Sequence, residues 1–325
     1  MSGRILSAGD PAAIEEAAVV LRDGGLVAFP TETVYGLGAS AFDATAVARV
    51  FEVKARPSFD PLIVHLADAS SVGRAATTDD PRVDILAEAF WPGPLTLVLP
   101  RRPEIPEIVT AGLDTVGVRV PAHPAARALI RASGAPLAAP SANPFGYVSP
   151  TTAAHVAERL GEAVDLILDG GPCPVGVEST IVSLVTETAT VLRPGGASIE
   201  DIEEALGTPC ARATSPAERP LAPGQLTRHY ATRTPLRILP GPAGPAPEDG
   251  RRTGLLAWSG EADGGYAAVE VLAPDGRSTT AAARLFAALR RLDALGLEAI
   301  VAEPCEEQGL GTAIMDRLRR CAARG

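Results

Sequence analysis

A chain of 325 residues is longer than one hydrophobic core usually extends, so two domains are expected. With 46% hydrophobic and 21% charged residues it has a globular composition, and no apolar run approaches the ~20 residues that span a bilayer. A net charge of −10 makes it a poor non-specific polyanion binder, and the absence of a basic, then apolar N-terminal stretch leads us to expect a cytoplasmic protein.

Short apolar stretches alternate with helical periodicity through the first two hundred residues, the pattern of an α/β domain. Strands are expected at 26–29, 62–65, 95–99, 116–120, 137–139, 166–168, 180–184 and 190–193, with helices near 11–23, 45–54, 124–132 and 151–160. From about 207 to 235 periodicity fails in a Pro-, Thr- and Ala-rich stretch that reads as a linker. Beyond it, strand-like 236–239, 254–258 and 299–302, a Pro/Gly/Ala loop at 240–247 and helices near 279–293 and 311–323 form a smaller, Rossmann-like α/β domain. The expected division is therefore 1–207, 208–235 and 236–325. Residues 1–207 hold 14 Lys and Arg against 26 Asp and Glu, a balance of −12, and the remainder 15 against 13, so an anionic substrate must be caught by a local cluster of cations.

Cys173, Cys210, Cys305 and Cys321 have no CxxC spacing, and His65, His123, His155 and His229 no HxH or HExxH, so reduced thiols and no protein-held metal are expected. Any metal would arrive with a ligand.

The chemistry gathers in loops that follow strands. Lys54 is the only lysine among 29 basic side chains, which points to a site where a compact ammonium suits better than a planar fork, such as a phosphate contact. An incidental surface lysine is the alternative. Arg56 precedes Pro57, which turns the chain toward a loop, and two cations at a strand mouth can hold a polyphosphate. The segment PTETVYGLG, residues 30–38, places Thr33 among hydroxyls, a carboxylate and two glycines after a strand; alone it could equally be a structural turn. In residues 139–151, Ser149 either faces a ligand or caps a helix opening at Pro150, whereas Ser141 and Asn143 have no such local explanation. Ser179 and Arg193 sit at strand boundaries, and Thr115 and Arg119 flank the strand 116–120. There is no GxGxxG, and the lone lysine, preceded by Val53, completes no GxxxxGK[ST].

PTETVYGLG, KxRPxxxPLIVH, SANxxGxxSPT, GVESTIV and LRPG, followed by RHY in the linker and GLGTAIMDRLRRCA at 309–322, together resemble the longer, two-domain threonylcarbamoyl-AMP synthases of the YrdC-type superfamily. The resemblance implies a twisted mixed sheet with a concave cleft, and a reaction of L-threonine, bicarbonate or CO2 and ATP that gives threonylcarbamoyl-AMP and pyrophosphate. It implies that Thr33, His65, Arg119, the backbone at Ala139 and Ser179 surround threonine, with Arg119 facing its carboxylate. It likewise places Lys54, Arg56, Asp60, Thr115, Ser141, Ser149, Arg193 and the linker residue Tyr230, beside Arg228 and His229, around ATP. Lys54 and Arg56 would compensate charge without a covalent nucleophile, Mg2+ would come with ATP, and the product would pass to proteins that modify tRNA, with no membrane and no required direct tRNA contact. Asp60 departs from the family's usual neutral residue, and a carboxylate there is repulsive unless it meets a cation or the metal. Two other readings are a carbamoyl-adenylate-forming factor of hydrogenase maturation, which should carry cysteine-rich zinc motifs, and an RNA-binding module without catalysis. The acidic balance and the scarcity of aromatics weigh against the second.

Overall fold

The computed structural model of the chain describes residues 4–77, 79–213, 220–226, 229–247, 250–260 and 264–323. Strands β1 (Arg4–Ser7), β2 (Val27–Phe29), β3 (Gly36–Ser40), β4 (Ile63–His65), β5 (Leu95–Pro100), β6 (Thr115–Arg119), β7 (Leu137–Ala138), β8 (Leu166–Asp169), β9 (Thr180–Ser183), β10 (Thr190–Arg193) and β11 (Ala211–Arg212) form one sheet. Their order is β1-β8-β2-β3-β7-β4-β6-β5-β9-β10-β11, with parallel and antiparallel pairs mixed. Between them run α1 (Pro11–Arg22), α2 (Ala44–Lys54), α3 (Pro81–Phe90), α4 (Pro124–Ser133), α5 (Ala153–Leu160) and α6 (Ile199–Leu206).

Strand alternation decides which side chains face the helices. Val64 on β4, Leu95, Leu97 and Leu99 on β5, Val116 and Val118 on β6 and Val182 on β9 enter the main core. Their neighbours in sequence, Ile63 and His65, Thr96 and Val98, Thr115 and Arg119, and Ile181, project from the other face. That second face carries the site.

A four-stranded, wholly parallel sheet follows, β12 (Leu236–Ile238), β13 (Thr253–Ala257), β14 (Ala268–Val271) and β15 (Ala299–Ala302), in the order β12-β15-β13-β14. Leu256, Ile300 and Ala302 pack under α7 (Ser278–Ala294) and α8 (Leu310–Ala322), whose buried residues include Leu285, Leu289, Ile314 and Leu318.

Several elements are not expected from sequence. β3 has two glycines and forms because β2 and β7 pair with it on both sides, a tertiary effect that outweighs glycine's poor strand propensity. β1 and β11 are the two edges of the larger sheet, and β14 is an edge of the smaller one. α3 and α6 have legible starts, Asp80 accepting from Arg82 N before Pro81 and Ser198 accepting from Asp201 N. β11 lies within the stretch read as linker, and Arg228 lies outside the described residues.

Candidate active site

One cavity on the second face of the larger sheet is lined by Thr33, Arg56, His65, Arg119, Ala139, Ser141, Ser179, Arg193 and Tyr230, nine of the residues singled out in the sequence. Cations on loops and strands far apart in the chain thus meet in one place. His65 and Arg119 are register partners on β4 and β6, while Ala139 N donates to Ile63 O just beyond the β4–β7 pairing. A register shift between Val191 and Arg193 on β10 turns Arg193 toward Ser179, as an extra residue in a strand re-aims the side chains beyond it.

Arg119 marks one end. The Thr31 hydroxyl donates to Val34 O at 2.6 Å and accepts from Val34 N, fixing the turn that presents Glu32 and Thr33. Arg119 then donates to Glu32 Oε1 at 2.5 Å, Thr33 Oγ1 at 3.0 Å and Gly93 O at 3.1 Å, and the other Glu32 oxygen accepts from Ala122 N. Ser179 Oγ lies 2.8 Å from Thr96 Oγ1. Burial, then the neighbouring Arg119 charge, lower the His65 pKa to about 3, so this ring is neutral at pH 7, and its Nδ1 has no partner.

The second end is built on α2. Val47, Val50, Phe51 and Lys54 recur at helical spacing on its buried stripe, so the sole lysine occupies a core-facing position and the surface alternative falls. Lys54 Nζ donates to Ser141 O and Asn143 O, clamping the loop after β7 from behind. Burial, then the Arg56 charge, hold its pKa well below the ordinary lysine range, with Asp60 opposing. Lys54 therefore backs the cavity without lining it. Arg56 donates to Asp60 O and Pro61 O and lies 2.9 Å from Asp60 Oδ2, so the unusual carboxylate does meet a cation. That contact is close but poorly aligned, since neither Asp60 carboxylate oxygen completes a hydrogen bond. Burial raises the Asp60 pKa against Arg56, Lys54 and Arg193.

Ser149 does not cap a helix. α5 opens later, with Thr152 Oγ1 accepting from His155 N, and Ser149 Oγ instead donates to Glu178 Oε1 at 2.5 Å. Its one proton so engaged, Ser149 is fully buried and stands behind Glu178, which lines the cavity where Ser149 does not. Asn143 is likewise structural, its Nδ2 donating to Pro144 O and Tyr147 O. Thr115 lies outside this cavity, two pleats along β6 from Arg119, hence ~13 Å away. It borders an adjoining hollow with Pro61, Ile63 and Pro223.

The linker roofs both. Arg193 donates to Ser179 O at 2.9 Å and Pro223 O at 3.0 Å, joining linker to sheet. Ala231 N donates to Gly146 O, Ala231 bridges Tyr147, and Tyr230, at φ 61°, is buried with its ring stacked on Phe286. His229 packs at 4.1 Å against Tyr230. The free space beneath is ≈ 50 Å³, whereas small-molecule sites measure roughly 300–1,000 Å³. The space beneath the closed linker is thus smaller than an ordinary small-molecule site. Gly224, at φ +79°, makes this roof possible, because a Cβ there would lie 2.6 Å from the Tyr230 hydroxyl and 3.1 Å from Arg193. Gly224→Ala is accordingly expected to weaken several-fold the binding of a ligand held beneath the roof, with a melting temperature within a few degrees of wild type; ligand titration and a thermal melt check this.

Two family models match the chain: one described as telomere recombination, of the Sua5/YciO/YrdC type, over residues 19–195, and one described as threonylcarbamoyl-AMP synthase, C-terminal domain, over 197–323. The chain is 44% identical over 333 residues to the threonylcarbamoyl-AMP synthase of Bacillus subtilis, covering 98% of this chain and 94% of that protein. It is 43% identical over 324 residues to that of Pyrococcus abyssi, covering 95% and 94%. The crystal structure of P. abyssi Sua5 complexed with L-threonine matches with a TM-score of 0.89 at 40% identity, over 99% of this chain and 97% of that one.

The chain belongs to the threonylcarbamoyl-AMP synthase family.

Similarity of this extent favours the synthase family over both the hydrogenase-maturation and the RNA-binding readings. Residues at this synthase-type cavity that the sequence reading does not single out are Glu32, Glu178 and His229, together with Arg317 behind it. Glu32 stands in plain view as the carboxylate of PTETV, and His229 beside Tyr230. Nothing local marks Glu178 or Arg317, whose meaning comes from each other. Among the described residues no group of three or more His, Cys, Asp or Glu side chains could hold a metal ion, and no helix is long and apolar enough to cross a membrane. The four cysteines form no disulfide, and burial raises Cys173 to about 12.

Proposed function

We propose that this protein is a threonylcarbamoyl-AMP synthase that joins L-threonine, bicarbonate or CO2 and ATP into threonylcarbamoyl-AMP and pyrophosphate in the roofed cavity. The observation that carries the reading is the meeting of Arg56, Arg119 and Arg193 with the hydroxyls of Thr33, Ser141 and Ser179 in a single buried cavity.

Arg119, the Thr33 hydroxyl, His65, the Ala139 backbone and Ser179 receive threonine, Arg119 facing its carboxylate. A neutral His65 orients polar groups there without adding charge. The threonine amine adds to CO2 and gives up a proton to solvent, one oxygen of the resulting carbamate attacks the α-phosphorus, and the bond from that phosphorus to the bridging oxygen breaks, its electron pair leaving with pyrophosphate. No covalent enzyme intermediate is required. Arg56 and Arg193 offset the charge that develops on the leaving phosphates, while Lys54 supports them from behind and fixes the Ser141 loop. Ser149 and Thr115 serve the nucleoside end, Ser149 by holding Glu178 at the cavity wall and Thr115 at its distance from Arg119. Mg2+, carried in on the phosphates, would supply further charge neutralisation, which fits a site whose nearby carboxylates are already paired with arginines. Tyr230 closes over the nucleotide. The product would then serve cytoplasmic proteins that place the threonylcarbamoyl group on tRNA adenosine.

Pyrophosphate release is expected only when ATP, threonine and bicarbonate are all present. Equal release without threonine, read by a coupled phosphate assay, would remove the assignment.

A further inference from the structure

We propose, resting on the function proposed above, that Arg317, on α8 of the second sheet's unit, is a positioning residue for the reaction, setting Glu178 against Ser149 and steadying Tyr230 over the cavity.

Arg317 is fully buried, with 0% of its surface exposed. Its Nε donates to Glu178 Oε2 at 2.8 Å and one terminal nitrogen to Asp316 Oδ2 at 2.6 Å. The guanidinium carbon stands 4.9 Å from the centroid of the Tyr230 ring, within cation–π range. Its second terminal nitrogen has no hydrogen-bond partner. Through Glu178 the contact reaches Ser149 Oγ, and Glu178 lines the cavity beside Ser179 and Arg193. Arg317 thus touches the wall through one partner and the roof through another. With Phe286 of α7, which stacks on Tyr230, it brings the second unit to a cavity lined by the first unit and linker.

Joining the two units does not need Arg317, since Arg290 on α7 donates to Val148 O at 2.6 Å and Ser149 O at 3.4 Å, and the Tyr147 hydroxyl donates to Asp293 at 2.8 Å. Arg317 differs from them in holding Glu178, which lines the cavity. Burying a further guanidinium is costly unless it is paired and hydrogen-bonded, and an unpartnered N–H makes it costlier. Its placement between Glu178 and Tyr230 gives that cost a functional counterpart. With the guanidinium in place Glu178 is held against Ser149, which fixes the carboxylate where it lines the cavity beside Ser179 and Arg193. The ring contact, with the stacking of Phe286 on the same ring, packs the roof residue Tyr230 against the second unit.

Arg317→Lys keeps the charge and most of the volume but loses the fork that bridges Glu178 and Asp316. ATP binding, measured by titration calorimetry, should weaken about tenfold, and the ATP KM should rise by a similar factor. The threonine KM should move less than twofold. If Arg317 acts through Glu178, adding Glu178→Gln to Arg317→Lys should weaken ATP binding less than the two single effects combined. Should Arg317→Lys fold poorly, Arg317→Met/Glu178→Gln removes the charge pair together and carries the same expectation. Weakened ATP binding with threonine unaffected supports the proposal, even if the wild-type enzyme released no pyrophosphate and the proposed function failed. Wild-type ATP binding and turnover in a folded variant, with or without a lower melting temperature, overturns it and makes Arg317 structural.

Discussion

Arg119→Ala is expected to lose both threonine affinity and about 3–5 kcal/mol of folding stability, because the substitution leaves Glu32 buried without its cation. The pair is nearly inaccessible, with side-chain exposures of 4% and 8%. A surface ion pair of the same length would contribute ~0–1 kcal/mol. Adding Glu32→Gln removes the stranded charge, so Arg119→Ala/Glu32→Gln should recover much of the stability. Threonine binding should not recover, since a charge-assisted contact to its carboxylate, worth ~1.5–3 kcal/mol, is still missing. Chemical denaturation and threonine titration of both variants separate the two effects. Recovery of threonine affinity in the double variant would show that Arg119 serves only to neutralise Glu32.

The second large effect is acid sensitivity. His65 titrates at about 3 and His229 well below the ordinary imidazole range; burial dominates both, assisted by Arg119 for the first and by Arg56, Lys54, Arg193 and Arg317 for the second. The unfolded chain takes these protons near pH 6.5 while the folded chain refuses them. Stability is therefore complete above that pH and falls as pH drops through 6.5 toward the folded values, by ~1.4 kcal/mol per unit for each ring, or about 3 kcal/mol per unit for the two. Asp60 acts in the opposite sense, since its raised pKa lets the folded state bind a proton earlier than the unfolded one, so the comparison belongs between pH 7 and 5.5. The denaturation midpoint should fall steeply across that window, and His65→Gln/His229→Gln should reduce the slope, the remainder coming from His155, held down to about 4 by burial, and His123, also lowered by burial. A midpoint independent of pH would mean that these rings are solvated and protonated in the native state.

Legibility in the sequence follows the range of the physics involved. Lys54 is marked by composition and, on its helix, by the spacing of Val47, Val50 and Phe51, both readable from neighbours. Ser149 shows the limit. Serine before proline reads as a helix start, yet the partner that claims its hydroxyl, Glu178, comes 29 residues later on another loop. β3 escapes a sequence reading because its glycines disfavour a strand in isolation, and pairing on both sides supplies what propensity lacks. Thr115 reads like the other strand-end hydroxyls, but strand geometry sets it two pleats from Arg119, beside an adjoining hollow.

The sequence by itself determined most of the alternating strands and helices, and a set of cations and hydroxyls at strand ends with the motifs of one family. Those properties depend on period, turn chemistry and residue type, all local. Only the tertiary structure decided that Arg119 is neutralised by Glu32 across 87 positions, that Arg317 reaches Glu178 across 139, and that the linker lies closed over the cavity. Charge pairing and closure depend on which strand ends the sheet order brings together, and that order is a property of the whole chain packed at once.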